Sequence, residues 1–527
     1  MHFVDLQSFV AELERRDQLR HVGAEVDAVL ELSAVAERMM KSSSPEGPAG
    51  APATDPAHGG RGGRALLFEK VRGSDIPVLI NAFGSYARIK LALGCEDLEE
   101  LGEQIRQMVR PEVPDTLLGK VRRLPDLIRM AGLGPKRVRQ GLCQEVIHTD
   151  EQADLTRLPI IQCWPDDGDL DSEPPAVAHE AAPVVEAAGH EGRTGRYITL
   201  AGSYMKDPDT GYVNVGMYRI QVFGPRLAAA HWHVHHDGAR IFAKWAARGE
   251  PMPMAVVLGG EPVLTYAATC PMPPEVSELM MAGFLNGGGI PLVPAKTIPL
   301  DVPAHAEIVI EGLVDPHDRF IEGPFGDHTG FYSLSGPYPV FRVTAVTHRR
   351  DPIYPATIVG KPPMEDYYLG KATERLFLPL VQMLVPDVID YHLPMFGAFH
   401  NAAFVKIRKS YPYQARRVIH SLWGAGQMSF TKFIVVVDEN VDVHDEQDVL
   451  FALGANVDPR RDTIITEGPL DILDHAAPHE GAGGKMGIDA TRKIPGEGTI
   501  RRWPAPLAMR KDILARVADR WREFGLD

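Results

Sequence analysis

The stretch ITLAGSYMKDPDTGYVNVGMYRIQVF, residues 198–223, decides the fold class because it contains two strand patterns, at 198–203 and 212–223. Strand patterns recur at 253–258 and 338–347, and Gly and Pro are frequent around them. We therefore predict a β-barrel-like domain in the middle of the chain.

Residues 355–500 alternate strand patterns, such as 432–438, with helical patterns, which predicts an α/β domain. Helical patterns along the chain cover residues 30–40, 238–248, 276–286, 366–384, 411–425 and 445–453. An N-terminal helix capped by Asp5 would bury one face that carries Leu6, Phe9, Val10 and Leu13. A last amphipathic helix would dock on its own core or on a partner subunit through Ile513, Val517, Trp521 and Phe524.

Two stretches of small and polar residues interrupt these patterns. Residues 41–64 are almost wholly small residues, Pro and Gly, which predicts a flexible surface loop. Residues 165–196 are acidic and rich in Ala and Pro. We interpret them as a solvated insertion, and a lid over a nearby site is the alternative.

Composition excludes several classes of protein. The chain has 527 residues, 44% of them hydrophobic, and a net charge of −15, which argues against a disordered chain and against a nucleic-acid-binding protein. The four cysteines have no short pair spacing, which argues against a zinc knuckle or a disulfide framework. Without a signal-peptide pattern or an apolar run of membrane-spanning length, we expect a cytoplasmic protein with no membrane span.

The middle region contains a histidine-rich segment at 231–236, whose side chains are candidates for metal binding or catalysis. In an extended strand, His231, His233 and His235 would share one face, but the first and last would lie about 13 Å apart, too far to bind one metal together. Other ligands would have to come from Glu278 and Asn214, a mixed oxygen and nitrogen set that favours Mn²⁺ or Mg²⁺ over zinc. The alternative is that these histidines are exposed or bonded to backbone.

A second candidate is the turn Glu322-Gly-Pro-Phe-Gly-Asp327. Two carboxylates in a dry cleft cannot both ionise freely, so the pKa of one would rise and that group could deliver a proton near neutral pH. Arg219 could hold the other carboxylate ionised. The alternative is a surface turn with two solvated acids.

An ordered series of motifs resembles the UbiD family of prenylated-FMN-dependent decarboxylases and carboxylases, which includes the decarboxylases of polyprenyl-hydroxybenzoate, ferulate and phenazine-1-carboxylate. The likeness covers most of the chain. It is carried by Ala65-Leu-Leu-Phe-Glu69, Leu158-Pro-Ile-Ile, Cys163-Trp-Pro165, Asn214-x4-Arg219, Ser277-Glu278, Glu322-Gly-Pro-Phe-Gly-Asp-His-Thr-Gly330 and Gly484-Lys-Met-Gly-Ile-Asp-Ala-Thr491.

The resemblance implies an α/β (α+β) fold in which a split β-barrel binds the flavin. The expected parts are an N-terminal α/β segment at 1–140, the split-barrel domain at 141–350 with its insertion at 165–196, a C-terminal α/β domain at 351–500 and a C-terminal helix at 501–527. A homodimer or larger homo-oligomer is expected.

The resemblance also assigns site residues. Mn²⁺, bridging to the phosphate of prenylated FMN, would be bound by Asn214, His235 and Glu278, and K⁺ would lie near the Cys270 backbone. The ionic network beside the reactive ring would be Arg219, Glu322 and Asp327, with Asp327 as the proton donor. The flavin would be lined by Met217, Tyr218, Arg219, His231, Trp232, His233, His236 and Asp237.

The implied function is reversible, non-oxidative decarboxylation of an aromatic or heteroaromatic carboxylic acid, with a flavin prenyltransferase as the supplier of the cofactor. A polycyclic acid such as phenazine-1-carboxylate is a candidate substrate, with an apolar wall at 392–396. Polyprenyl-4-hydroxybenzoate is the alternative substrate. The segment that begins with His231 replaces one that begins with Arg in the family's polyprenyl-hydroxybenzoate decarboxylase, which argues against this alternative. A histidine-based metal hydrolase and a non-catalytic flavin-binding module are the rivals of other classes.

Overall fold

The computed structural model describes residues 2–109, 132–172, 193–233, 235–499, 501–505 and 507–526. The α-helices of this part of the chain are Leu6–Arg15, Glu31–Met40, Tyr86–Leu93, Leu98–Val109, Asp237–Arg248, Pro262–Ala267, Glu278–Leu285, Glu365–Leu384, Gln414–Trp423, Glu446–Asn456, Pro459–Asp462 and Lys511–Asp519. Each of the six predicted helical patterns coincides with one of these helices to within three residues at each end.

The N-terminal part is built on a four-stranded sheet in the order Leu19–Val26, Ala65–Val71, Val78–Ile80 and Tyr354–Ala356. The first helix begins as predicted, because the Asp5 carboxylate accepts the backbone N–H of Ser8 in a capping box. Its buried face carries the predicted residues Leu6, Phe9, Val10 and Leu13. The last strand of this sheet comes from beyond the central domain, so the N-terminal sheet contains two distant parts of the chain.

The central domain is an α/β unit around a nine-stranded sheet that curls into a half-barrel. Strand Met252–Leu258 is buried along its whole length, which is typical of a strand covered on both faces. The order along the sheet is Tyr197–Ile198, Ile220–Gly224, Leu227–Ala230, Gly336–His348, Ile308–Glu322, Met252–Leu258, Gly202–Lys206 and Val213–Met217, with Val146–Thr149 paired to Gly336–His348. Small sheets are formed by Asp301–Pro303, Pro291–Pro294 and Lys136–Arg137, and by Phe325–Gly326 and Tyr332–Ser333.

The C-terminal domain has a five-stranded mixed sheet with a hydrophobic cluster on each face. The order is Val388–His392, Ala402–Ile407, Phe433–Asp438, Ala482–Asp489 and Thr463–Pro469. One cluster packs Val418 and Ile419 of helix Gln414–Trp423 under the sheet, and the other packs Val449 of helix Glu446–Asn456 on the opposite face. The alternation predicted for residues 355–500 is confirmed.

Residues 41–64 form an irregular segment with one short 3₁₀ helix, Gly47–Gly50, as a loop prediction requires, but the segment is anchored to the core and is not a free surface loop. Asp55 is 1% exposed and accepts the hydroxyls of Tyr86, at 3.1 Å, and Tyr367, at 2.9 Å. The buried guanidinium of Arg88 donates to the carbonyls of Gly62 and Gly63. Small residues are used here because the backbone of the segment approaches other elements closely, and the partners that fix it are distant in sequence.

The insertion at 165–196 is anchored at both described ends. Asp167 is 3% exposed and accepts the backbone N–H groups of Cys163, Trp164 and Gly326. Arg193 donates to the carbonyl of Gly168 at 2.6 Å and also contacts the carbonyls of Ile321 and Gly323. The ends therefore do not behave as a solvated loop, and the choice between loop and lid concerns residues 173–192, outside the described residues.

The C-terminal helix, Lys511–Asp519, has no buried residue. Of the four apolar residues predicted to dock, Trp521 and Phe524 are 47% and 46% exposed, while Ile513 and Val517 are half-buried. Docking of this helix on its own core is therefore not observed, and docking on a partner subunit stays a prediction. Within the described part of the chain, no helix is both long and apolar enough to cross a membrane.

Candidate active site

Arg219 is the centre of a buried ionic cluster. It lies between strands Val213–Met217 and Ile220–Gly224. Its Nε donates to Glu322 Oε1 at 2.8 Å, its Nη1 to Asp327 Oδ2 at 2.6 Å, and its Nη2 to Glu322 Oε2 at 3.1 Å and to Ser333 Oγ at 2.9 Å. The guanidinium carbon lies 4.8 Å from the centre of the Phe325 ring. The structure thus brings together the three residues that the sequence predicted as a network, and the two acids are not solvated.

Both carboxylates of this cluster are stabilised in the ionised form. Burial by itself would raise the pKa of Glu322, but the charges of Arg219 and His231 and their hydrogen bonds lower it to about 2. Burial likewise opposes ionisation of Asp327, yet the hydrogen bond and charge of His328 and the charge of Arg219 hold its pKa below the ordinary value. The prediction that the pKa of one acid rises is therefore wrong, because His328 and Arg219 both stabilise the Asp327 carboxylate while Arg219 also pairs with Glu322.

The turn that carries Glu322 and Asp327 is shaped by its small residues. Gly323 has a φ of 89°, a conformation that favours glycine. Gly326 lies so close to the ring of Trp164 that an added Cβ would stand 2.1 Å from Cδ1 of that ring. The Gly326 N–H donates to the buried Asp167, whose pKa burial raises to about 7. Asp167, at the start of the insertion, therefore holds the residue next to Asp327 in place.

The histidine-rich segment is not a strand. The preceding strand ends at Ala230, so the predicted alternation of faces is lost. Instead, His231 Nδ1 donates to Glu322 Oε2 at 2.6 Å, and His231 Nε2 lies 2.8 Å from His233 Nε2. The ring of His233 in turn stacks on His236, with centroids 4.7 Å apart. These contacts extend the ionic cluster, while His235 points elsewhere and is exposed.

Of the other residues predicted to line a flavin, Tyr218 and Trp232 lie beside this chain of histidines. Tyr218 is buried, its hydroxyl accepts the Gly238 N–H at 3.3 Å, and its ring lies 5.4 Å from His236 and 6.1 Å from Trp232. The half-buried Met217 donates its backbone N–H to the Ala268 carbonyl at 2.9 Å. Asp237 begins helix Asp237–Arg248.

Two of the three predicted metal ligands lie together. Glu278 Oε2 accepts the N–H of Val215, the residue that follows Asn214, at 2.7 Å. The Nδ2 atom of Asn214 is buried without a hydrogen-bond partner in the described residues, and burial raises the pKa of Glu278 to about 7. A buried carboxyl beside an amide nitrogen that lacks a hydrogen-bond partner in the described residues suits a bound cation and its anionic ligand, so these residues fit the expected metal–phosphate group.

His235 does not join that pair. Its ring lies 4.9 Å from Phe430 of the C-terminal domain, and the contacts of the described residues include none between His235 and either Asn214 or Glu278. The role of His235 as a ligand therefore stays a prediction. The Cys270 carbonyl, expected near K⁺, accepts the Met272 N–H at 2.9 Å.

A second polar cluster was not predicted. Within the described part of the chain, one group of three side chains places potential metal-ligating atoms within 4.8 Å of one another, namely Glu374, His392 and His444. Lys371 Nζ lies among them, 2.6 Å from Glu374 Oε2 and 2.8 Å from His392 Nδ1. The ammonium group of Lys371 therefore supplies the positive charge that a metal ion would otherwise bring to this cluster. The expected apolar wall at 392–396 is divided, because His392 belongs to this cluster whereas Phe396 is exposed.

Two further histidines, which were not predicted as site residues, extend the cluster from Asp327. His328 donates its Nδ1–H to Asp327 Oδ1 at 2.8 Å, and its Nε2 lies 2.7 Å from Nε2 of His400. His328 follows Asp327 within the recognised motif, so adjacency could have indicated it. His400 is 72 residues further along the chain, so no local sequence pattern could predict that it contacts His328.

Three family models match consecutive parts of this chain. The N-terminal domain of 3-octaprenyl-4-hydroxybenzoate carboxy-lyase (UbiD) matches residues 10–107, the Rift-related domain of that enzyme matches 136–362, and its C-terminal domain matches 367–490. Two relatives described as uncharacterized proteins match nearly the whole chain. One, from Aquifex aeolicus, is 43% identical over 524 residues, and the other, from Archaeoglobus fulgidus, is 42% identical over 528 residues, with 99% of each chain covered in both cases.

Solved structures with the same architecture include the UbiD-class enzyme HmfF from Pelotomaculum thermopropionicum in complex with FMN. It is 29% identical, with a TM-score of 0.71, and the match covers 95% of this chain and 97% of that chain. The vanillic acid decarboxylase of Sedimentibacter hydroxybenzoicus in closed form is 24% identical, with a TM-score of 0.79 and 100% of both chains covered, which shows the fold alone.

Proposed function

The chain belongs to the UbiD family of carboxy-lyases, and from this premise we propose that it removes the carboxyl group of an aromatic or heteroaromatic acid as CO₂, with prenylated FMN as cofactor. The observation that carries the proposal is the buried guanidinium of Arg219 between the carboxylates of Glu322 and Asp327. Burying a charged group costs free energy, and two carboxylates share one guanidinium here. A flavin-binding module without catalytic activity would have no use for such a cluster.

Loss of CO₂ from an sp² carbon leaves an electron pair that no side chain stabilises adequately. Prenylated FMN, when bound, supplies the electron sink. Glu322, ionised and bonded twice to Arg219, orients the guanidinium. Asp327, once it has taken up a proton, delivers that proton to the carbon that has lost CO₂. The burial of these groups excludes water, which strengthens each electrostatic interaction in the cleft.

The cofactor would be held by the residues already described. Asn214, His235 and Glu278 would bind Mn²⁺ at the flavin phosphate, and K⁺ would lie near the Cys270 backbone. A metal-bound phosphate lets a chain with a net charge of −15 retain an anionic flavin. A flavin prenyltransferase would supply the prenylated cofactor.

The substrate would be an acid with a large apolar ring, such as phenazine-1-carboxylate. The Asp327 N–H donates to the Phe331 carbonyl at 3.0 Å, so the turn that holds Asp327 also presents Phe331 and Leu334, which are 57% and 63% exposed. Polyprenyl-4-hydroxybenzoate is the alternative substrate. A histidine-based hydrolase is disfavoured, because His231 and His233 bond to Glu322 and to each other instead of facing an open metal position.

A homodimer or larger assembly is proposed from the uncovered C-terminal helix, whose apolar side chains would be buried against a second copy of the chain.

The test is to co-express the chain with a flavin prenyltransferase and to screen aromatic acids for CO₂ release. The proposal expects a flavin absorption spectrum, bound Mn²⁺ and release of CO₂ from at least one ring acid, all lost together in Arg219→Ala. Bound flavin with no CO₂ from any acid would favour the binding module, and zinc without flavin would favour the hydrolase.

A further inference from the structure

His328 occupies a position between two acceptors. On one side its backbone N–H and its Nδ1–H both donate to Asp327 Oδ1, each at 2.8 Å. On the other side its Nε2 faces Nε2 of His400 at 2.7 Å. The ring of Phe399 stacks on His328 with centroids 5.4 Å apart and restrains the imidazole in this orientation.

The facing nitrogens constrain where protons can be. Two ring nitrogens 2.7 Å apart must share one proton, since two lone pairs or two N–H groups would repel each other. If the proton belongs to His328, that ring carries an N–H on both nitrogens and is an imidazolium. His400 is then neutral and accepts.

The charged groups around the two rings determine whether His328 or His400 carries the shared proton. Burial alone would lower the pKa of His328, but its hydrogen bond to Asp327 and the charges of Asp327, Asp366 and Asp471 raise it to about 9. Burial and the positive charge of His328 lower the pKa of His400 to about 4, even though Asp471, Asp327 and Asp474 oppose this. At neutral pH the proton therefore belongs to His328.

This arrangement matters because Asp327 is ionised. A carboxylate held by Arg219 and His328 has no proton of its own to deliver, so an acid role for Asp327 needs a neighbour that supplies one. His328 is the protonated group in direct hydrogen-bond contact with it. Arg219, the other cation on Asp327, does not release protons in this pH range.

We propose that His328 is the proton reservoir of Asp327, and that His400, contributed by the C-terminal domain, keeps His328 doubly protonated by accepting its Nε2–H. The proposal rests on the decarboxylation proposed above, in which Asp327 protonates the vacated carbon. Neither histidine touches the substrate in this scheme, so both act as positioning residues for Asp327.

The bond between the ring carbon and the carboxylate breaks, CO₂ departs, and the electron pair stays with the substrate. The proton on His328 Nδ1 passes to Asp327, and Asp327 transfers it to the carbon, where the new C–H bond forms. His328 is left neutral with its Nε2–H still donated to His400, and solvent returns one proton to the pair once the product has left.

The first test does not depend on catalysis. Histidine side chains labelled with ¹⁵N would be followed by NMR in the purified protein without flavin, from pH 6 to pH 10. We expect one imidazolium that persists to about pH 9, that disappears in His328→Gln, and whose pKa falls in His400→Leu, because the imidazolium loses its acceptor. His420→Gln, at an exposed position of helix Gln414–Trp423, is the matched control and should leave this signal unchanged.

The second test uses the loaded enzyme and a substrate acid found by the screen. In single turnovers of His328→Gln, we expect CO₂ release to continue while formation of the protonated product slows by about 10²-fold. The wild type should lose rate above about pH 9, and this loss should be absent from His328→Gln. A His328 that is neutral at pH 7, or a His328→Gln enzyme with the wild-type rate and pH profile, would overturn the reservoir. If the NMR signal behaves as expected but no acid is decarboxylated, the proposed function fails instead.

Discussion

Replacing Glu322 with Gln keeps the volume of the side chain but removes a fully buried negative charge. In the wild type that carboxylate accepts two hydrogen bonds from Arg219 and one from His231. Its pKa is about 2, against 4.5 for an ordinary glutamic acid, and this difference corresponds to about 3 kcal/mol of folding stability. A similar loss, about 3–5 kcal/mol, is typical when one partner of a buried ion pair is removed.

The sign of the pH dependence follows from the lowered pKa. The contribution of Glu322 is fully present above about pH 4.5 and is lost as the pH falls towards 2, so the deficit of Glu322→Gln should be complete at pH 7. We expect urea unfolding, followed by tryptophan fluorescence, to show a variant about 3 kcal/mol less stable than the wild type. Trp164 and Trp232 both lie in the central domain and would report on it.

Glu439→Gln is the matched control. Glu439 also pairs with an arginine, Arg408, at 2.6 Å, but the two side chains are 50% and 75% exposed, so its loss should cost about 1 kcal/mol or less. If Glu322→Gln were as stable as this control, the ionic cluster would not be the tightly paired, buried unit described above. Arg219 would then not stabilise the Glu322 carboxylate to the extent that the lowered pKa requires.

Three further predictions concern the site and the insertion. Asp327→Asn should bind substrate and still release CO₂ once, but transfer of deuterium from D₂O to the vacated carbon should slow by about 10²-fold, and normal transfer would mean that another group is the acid. Glu278→Gln should purify with little Mn²⁺ and little flavin, as measured by metal analysis and absorption, and full occupancy would contradict its role as a ligand. Replacing residues 170–190 with a short Gly/Ser linker should leave unfolding and turnover near the wild type, while a selective loss of turnover with normal cofactor content would favour a lid.

Local patterns predicted the elements of this fold well. The buried face of the first helix depends on a 3.6-residue period and on a cap at Asp5, both of which are visible in ten residues of sequence. Strand Phe433–Asp438 likewise coincides with its pattern. Such elements are specified by neighbours in the chain, so the sequence alone contains the relevant information.

The errors arose where distant residues determine the outcome. The segment 41–64 has the composition of a loop, but Asp55 is fixed by a tyrosine 312 residues away. The histidine segment was expected to alternate like a strand, but bonding to Glu322, 91 residues beyond His231, directs its side chains instead. The pKa of Asp327 could not be predicted because it depends on which groups share Arg219.

The two described ends of the insertion at 165–196 are anchored, which makes the residues between them a suitable position for inserting a tag or a domain. Arg193 donates to the Gly168 carbonyl and Asp167 accepts the Gly326 N–H, so described residues anchor the insertion on both sides of 173–192. The entropy of closing a flexible loop grows only slowly with length, by about 0.6 kcal/mol for each doubling. An affinity tag or a small reporter domain grafted there should therefore be accommodated without moving Asp327.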